Sequence, residues 1–275
     1  MTPSNLPPAR RVAIAGLGTV GRAIALAVDA GIEGMALSAV SARNVEAAQA
    51  WCAQKLSRPV PVVPIAQLAE HADTVVECAP ASLMAALAEP VLRAGKQLVV
   101  LSSGALLNNW HLVELAREHG GQILIPTGAL LGLDAVSAAA EGRIREVRMV
   151  SRKPVEGFRG APFLARNNID IEGIREPLQL FSGKAREAAT GFPANLNVAI
   201  SLSLAGIGPD RTELEIWADP TIQRNTHTIS VDADSASFTM TIENIPTENP
   251  KTGRITSQSA VALLRKMHAP LRVGT

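Results

Sequence analysis

The sequence predicts an α/β protein in two parts: a parallel sheet wrapped by helices, then a smaller α+β part with a mainly antiparallel sheet. Three observations predict it. From Arg11 to about Pro126, short apolar runs alternate with helix-length stretches, which requires parallel pairing through right-handed crossovers. Gly16, Gly18 and Gly21 follow the apolar run Val12 to Ala15 at the spacing G-x-G-x-x-G and precede a helical pattern, Arg22 to Asp29. Three alternating runs then occur in succession after Thr212, the pattern of an antiparallel meander. With 275 residues, 47% hydrophobic and 19% charged, the chain can bury a substantial core in two domains and is not a disordered polymer. A net charge of +1 provides no clustered basic face for nucleic-acid phosphates. No apolar run approaches the roughly 18 residues of a membrane span.

Residues 1–10 lack the apolar centre of a signal peptide and read as a short disordered leader on a cytoplasmic protein. The glycine turn that follows the first strand makes the arrangement Rossmann-type. Its first glycine permits a tight reversal, the second removes a Cβ where a pyrophosphate approaches, and the third lets strand and helix pack. Thr19 and Val20 lie at the helix start, where unpaired N–H groups face the phosphates. Met35 to Val40 is the second strand, ending in Ser41-Ala42-Arg43. An acidic residue there would bind the ribose 2′-hydroxyl of NAD. A hydroxyl and a guanidinium instead accommodate a 2′-phosphate, so NADP is expected to be used, unless Arg43 is simply a solvated residue opening the helix Val45 to Gln54. Val60 to Val63 is a further β-like run, followed by a helix around Ile65 to Glu70. Strand Asp73 to Cys78 leads to Cys78-Ala79-Pro80 and a helix to Arg93, and strand Gln97 to Leu101 ends in Ser102-Ser103. A helix from Asn109 to Glu118 and a strand Gln122 to Pro126 complete the first part. In such sheets the ligand lies beyond the carboxyl ends of the strands.

Thr127 to Asp134 is rich in small residues, and Asp134 precedes the helix Ala135 to Glu141. Arg145 to Val150 alternates as a strand ending in Ser151-Arg152-Lys153-Pro154, and residues 156–176 read as a long loop. Pro193 to Gly206 is a helix of small apolar residues. The meander comprises Thr212 to Ala218, Arg224 to Val231 and Ser237 to Glu243. A final helix, Ser257 to Met267, carries one apolar face suited to packing on the first domain. The expected division is residues 11–128 with 250–270 as the dinucleotide-binding domain and 129–249 as the catalytic, substrate and dimerisation domain.

Two cysteines, Cys52 and Cys78, with no Cys/His cluster, argue against a disulfide framework and against a metal site. Of five histidines, His227 stands apart: it lies inside an alternating strand on the side of Ile229 and Val231. Desolvation there lowers its pKa toward that of a general base, or it is a core histidine with a backbone partner. Asn195 and Asn197 either cap the small-residue helix or bind the carboxamide of a nicotinamide. Arg152 and Lys153 are candidates to clamp substrate carboxylates, or they pair with surface acids.

Pro126-Thr-Gly-Ala129, Arg152-Lys-Pro154, Gly-Phe-Pro-Ala-Asn-Leu-Asn-Val-Ala at 191–199, Ala218-Asp-Pro220, Arg224-Asn-Thr-His-Thr-Ile229, Glu243-Asn-Ile-Pro and Asn249-Pro-Lys-Thr252 resemble the L-aspartate dehydrogenase family. The resemblance runs in order from about Arg11 to Lys266. It implies oxidation of L-aspartate to iminoaspartate with NAD or NADP, hydrolysis of the imine to oxaloacetate and ammonia, or the reverse reductive amination. It further implies supply of iminoaspartate for NAD biosynthesis and a homodimer. By the same resemblance the catalytic histidine is His227, and cofactor contacts beyond the glycine loop fall on Ala129 and Asn197. Leu131 stands where the family more often has glycine, and Ser41-Ala42-Arg43 lacks the acid of strict NAD users. The alternatives are a reductase of a related imine or keto acid, or a non-enzymatic dinucleotide sensor.

Overall fold

Val12, Ala13, Ile14 and Ala15 are wholly inaccessible to solvent, because the strand they form is central in a sheet with helices on its faces. This strand, β1 (Arg10–Ala15), is followed by α1 (Thr19–Asp29), β2 (Met35–Ser41), α2 (Val45–Lys55), α3 (Leu68–His71), β3 (Thr74–Glu77), α4 (Met84–Arg93), β4 (Gln97–Val100), α5 (Ser103–Leu106), α6 (His111–His119) and β5 (Gln122–Leu124). The computed structural model describes residues 8–192, 196–245 and 253–274. All four pairings in this sheet are parallel, in the order β2-β1-β3-β4-β5. The chain order therefore reverses beside β1, which opens a crevice at the carboxyl ends of β1 and β3. Helix α1 buries Gly21, Ile24, Ala25 and Val28, the i, i+3, i+4, i+7 stripe of an amphipathic helix.

The second half contains α7 (Leu133–Ala140), β6 (Ile144–Lys153), α8 (Pro162–Arg166), β7 (Leu178–Lys184), α9 (Ala185–Ala189), α10 (Asn197–Ala205), β8 (Glu213–Ala218), β9 (Asn225–Ala233), β10 (Ser237–Asn244) and α11 (Ile255–His268). By packing the chain divides into two compact units, Met1–Pro126 with Ser257–Arg272, and Thr127–Thr256 with Val273–Thr275. Ala260 and Leu264 of α11 belong to the apolar core built on β1, β2 and α1.

Several elements differ from the sequence expectation. Val60 to Val63 is not a strand of the sheet: Val62 makes only an isolated bridge to Val40. The three runs after Thr212 do not form one meander. The second sheet is ordered β10-β9-β6-β8-β7, with β6 inserted between β8 and β9 and parallel to β8. Only β9 and β10 form the expected hairpin, because alternation fixes which face a strand buries and not which neighbour it pairs with. Strand β7 and helix α9 were not anticipated, and the 156–176 segment holds a 3-10 turn, Val155–Phe158, and α8. Phe163 of that segment stacks on Phe192 at 4.8 Å and meets Phe181 of β7 edge-on. Helix α10 begins at Asn197; Pro193, Ala194 and Asn195 lie outside the described residues, as does the Asn249 to Thr252 motif.

Candidate cofactor cradle and catalytic cluster

In the first unit the three glycines are held by different constraints. Gly16 has φ +99°, and a Cβ there would stand 2.5 Å from the Cys78 carbonyl oxygen. At Gly21 a Cβ would fall 1.8 Å from the Gly16 carbonyl oxygen, whereas at Gly18 nothing lies within 4 Å. Gly16 and Gly21 thus build the turn, and Gly18 leaves open room beside the first turn of α1. Gly18 is the N-cap of that helix without a side-chain cap, and no acidic residue occupies the first turn. Its amides at Thr19 and Val20 can therefore receive a phosphate. Hydrogen bonds from Gly16 N to Ser41 O and from Cys78 N to Ala15 O, both 2.8 Å, hold the ends of β2 and β3 against the turn. With no side chain at Gly18 and nothing within 4 Å of where its Cβ would stand, the turn leaves room for a pyrophosphate to approach the backbone.

Ser41 is buried at the end of β2 and Arg43 is exposed just beyond it, while Asn44 caps α2 by accepting from Ala47 N. Cys78 and Ala79 are half-buried on the loop after β3.

Glu77, which the sequence reading passed over, is the buried carboxylate of this crevice. It accepts from Ser102 N at 2.8 Å, Leu101 N at 3.1 Å and Ser102 Oγ at 3.1 Å, tying the loop after β4 to the end of β3. Burial pushes its pKa up, against hydrogen bonds from Ser102, Leu101 and Ala79 that favour the anion. The signal for it was the acid inside an otherwise apolar strand, since a charge at such a position needs partners.

In the second unit, Asn225, His227, Ile229, Val231 and Ala233 form the buried face of β9. Pairing sets His227 opposite Ser151 on β6 and Ile242 on β10. His227 is 2% exposed, with Ser151 at 4%, Lys153 at 5%, Asn225 at 8% and Asn244 at 2%. This is a polar end to an otherwise apolar sheet face. Burial first, and then the positive charge of Lys153, push the His227 pKa down to about 3, so the imidazole is neutral. Its Nδ1 is buried and without a hydrogen-bond partner among the described residues. On the β8 side of β6 a narrow crevice is lined by Ser151, Lys153, Leu196, Ala199, Leu214 and Ile216 among others.

The two expected carboxylate clamps separate. Neighbouring residues on a strand face opposite ways, so Lys153 lies with His227 while Arg152 faces outward. There Arg152 stacks over Trp217 at 4.9 Å and reaches Asp219 at 3.4 Å, so a role beside His227 is not open to it. Ala129 sits in a turn between Gly128 and Gly132, both at positive φ, and its carbonyl accepts from Asn244 Nδ2 at 2.9 Å. Asn197 is half-buried and opens α10. Among the described residues no group of His, Cys, Asp and Glu could hold a metal ion.

Residues 134–267 match the family model described as aspartate dehydrogenase, C-terminal, and residues 16–126 match that of the homoserine dehydrogenase NAD-binding domain. An L-aspartate dehydrogenase of Bradyrhizobium diazoefficiens is 60% identical, with 100% of this chain and 98% of the relative covered. The chain belongs to the L-aspartate dehydrogenase family. A second relative, L-aspartate dehydrogenase 3 of Bordetella bronchiseptica, is 62% identical over 96% of this chain and 97% of its own. The crystal structure of aspartate dehydrogenase from Thermotoga maritima superposes with a TM-score of 0.71 at 22% identity, covering 96% of this chain and 99% of that one. It shows the fold. In this family member the NAD-binding match contains the glycine cradle, and the C-terminal match contains His227, Lys153 and Asn244.

Proposed function

We propose that the protein oxidises L-aspartate with NAD or NADP, giving iminoaspartate that hydrolyses to oxaloacetate and ammonia, and catalyses the reverse reductive amination. The observation that carries this reading is the buried, neutral His227 with an unpaired Nδ1 beside Lys153, in a chain of this family. A nicotinamide cofactor held by the glycine loop would supply the acceptor for the hydride that leaves Cα. That transfer needs a neutral amine, and His227 takes its proton once the carboxylates of the bound substrate raise its pKa from the value of about 3 in the free protein; imine hydrolysis needs an activated water, which the same imidazole serves. Lys153 meets a substrate carboxylate, which is costly to bury without a cation. Ala129 and Asn197 contact the cofactor, together with the glycine loop, Cys78 and Ala79.

The test is the absorbance of reduced cofactor when purified protein receives L-aspartate with NAD or NADP at alkaline pH. Binding of the cofactor with no reduction sinks the reading. A panel of related keto acids with ammonia fixes the substrate.

The reading extends to a cytoplasmic homodimer that engages neither membrane nor nucleic acid. The net charge of +1 supports the part of this reading that concerns nucleic acid. No helix among the described residues is long and apolar enough to cross a membrane. Light scattering at the mass of one chain overturns the dimer. Iminoaspartate released by the enzyme feeds NAD biosynthesis, checked by rescue of a strain that lacks another source of it.

A further inference from the structure

The carboxamide of Asn244 has no part in the scheme above. Asn244 closes β10 opposite Asn225 of β9. Its Nδ2 donates to the Ala129 carbonyl, and because a carbonyl oxygen can only accept, that bond fixes which end of the amide is which. Oδ1 is then an acceptor, buried and without a partner among the described residues. Buried polar atoms in this state are uncommon and call for a ligand or water.

The other orphan of this sheet face is His227 Nδ1. Asn225 and His227 share the buried face of β9, so Asn244 is the diagonal neighbour of His227 across the hairpin. Diagonal neighbours of this kind stand about 7–8 Å apart along the sheet or less, a separation one small ligand can bridge, and Gly253, lacking a Cβ, leaves room beside Asn244 Oδ1. A ligand nitrogen that yields a proton to an imidazole while still donating to a second acceptor needs at least two N–H bonds and an acidic one. An α-ammonium has three, whereas the carboxamide nitrogen of a nicotinamide is not acidic.

We propose that Asn244 Oδ1 accepts a hydrogen bond from the α-amino nitrogen of the substrate and keeps it through oxidation, as a catalytic residue beside His227. This rests on the aspartate-oxidation reading. The amine first loses one proton to His227. The Cα–H bond then breaks, its electron pair leaving as hydride to the oxidised cofactor, while the nitrogen lone pair forms the C=N bond. The nitrogen becomes positive in that step, so the N–H donated to Oδ1 is a stronger donor in the transition state than in the bound amine.

The experiment compares wild type with Asn244→Ala for L-aspartate turnover, inhibition by succinate, cofactor Kd and thermal midpoint. Succinate carries both carboxylates and no nitrogen. The expected result is a fall of roughly 10- to 100-fold in kcat/KM for aspartate, with the succinate inhibition constant and the cofactor Kd moving by about threefold at most. Succinate inhibition weakening in parallel with aspartate turnover overturns the proposal, as does a rise in cofactor Kd that accounts for the whole loss, or no loss at all. If Asn244→Ala does not fold, Asn244→Asp decides, because it keeps an oxygen at the acceptor position: kcat/KM within about tenfold of wild type supports the proposal, and a larger fall overturns it. Wild type that forms no reduced cofactor with aspartate sinks the substrate reading instead.

Discussion

At Gly18 and Gly21 the same residue type meets opposite surroundings, and substitution separates them. Gly18→Ala places its methyl in open space at φ −76°, so unfolding stability should stay within about 0.5 kcal/mol while the cofactor KM rises. Gly21→Ala drives a methyl against the Gly16 carbonyl and should destabilise the protein by about 3 kcal/mol or more. Urea titration and cofactor kinetics on both variants check this; equal loss of stability in the two would contradict it. Lys153 belongs to the same scale. Lys153→Met keeps much of the aliphatic stem and removes the charge, so the aspartate KM should rise roughly 10- to 100-fold with the cofactor KM unchanged. An unaltered aspartate KM would remove Lys153 from the substrate site. The alternation that sends Lys153 and Arg152 to opposite faces was legible in the sequence, whereas the acceptance of Arg152 by Asp219 was not.

Among elements, the end of β2 bears on a property that the glycine turn leaves open. Ser41 is buried there, and Arg43 is exposed with no hydrogen bond or ion pair among the described residues to hold it elsewhere. A guanidinium in that position favours a 2′-phosphate. Arg43→Asp should lower the ratio of kcat/KM for NADP to that for NAD by about tenfold or more. A ratio that does not move assigns Arg43 to the solvated face of α2. The alternating strand–helix texture of the first half was readable because each strand and helix announces itself within a window of ten or so residues. The second sheet was readable only in part: β9 and its buried face followed from alternation, but β7 and the insertion of β6 between β8 and β9 depend on pairings across long stretches of chain.

For the whole molecule, burying His227 couples folding to pH. Its folded pKa lies at about 3, below the 6.5 of an ordinary histidine. Above pH 6.5 both states are neutral and the group exerts no pH dependence. As pH falls from 6.5 toward 3 the unfolded chain takes up the proton first, so stability is lost, at about 1.4 kcal/mol per pH unit for this group. Urea midpoints at pH 7, 6, 5 and 4 should therefore decline less steeply in His227→Gln than in wild type. Parallel curves would show that His227 is not desolvated as described. The same variant should bind cofactor and lose turnover by about 10²- to 10⁴-fold.

What the sequence determined by itself was local: the glycine turn, the strand that carries His227, and the strand–helix rhythm of a two-part α/β chain. These are legible because backbone freedom, amphipathic period and the absence of a Cβ act within a few residues of one another. The tertiary structure decided what lies far apart in the chain. It brought Glu77 to the amides of Leu101 and Ser102, set β6 between β8 and β9, and joined Asn244 to Ala129 across 115 positions. Buried polar groups must find partners, but no rule acting along the chain names the partner; only the packed core, by excluding water, makes one contact obligatory.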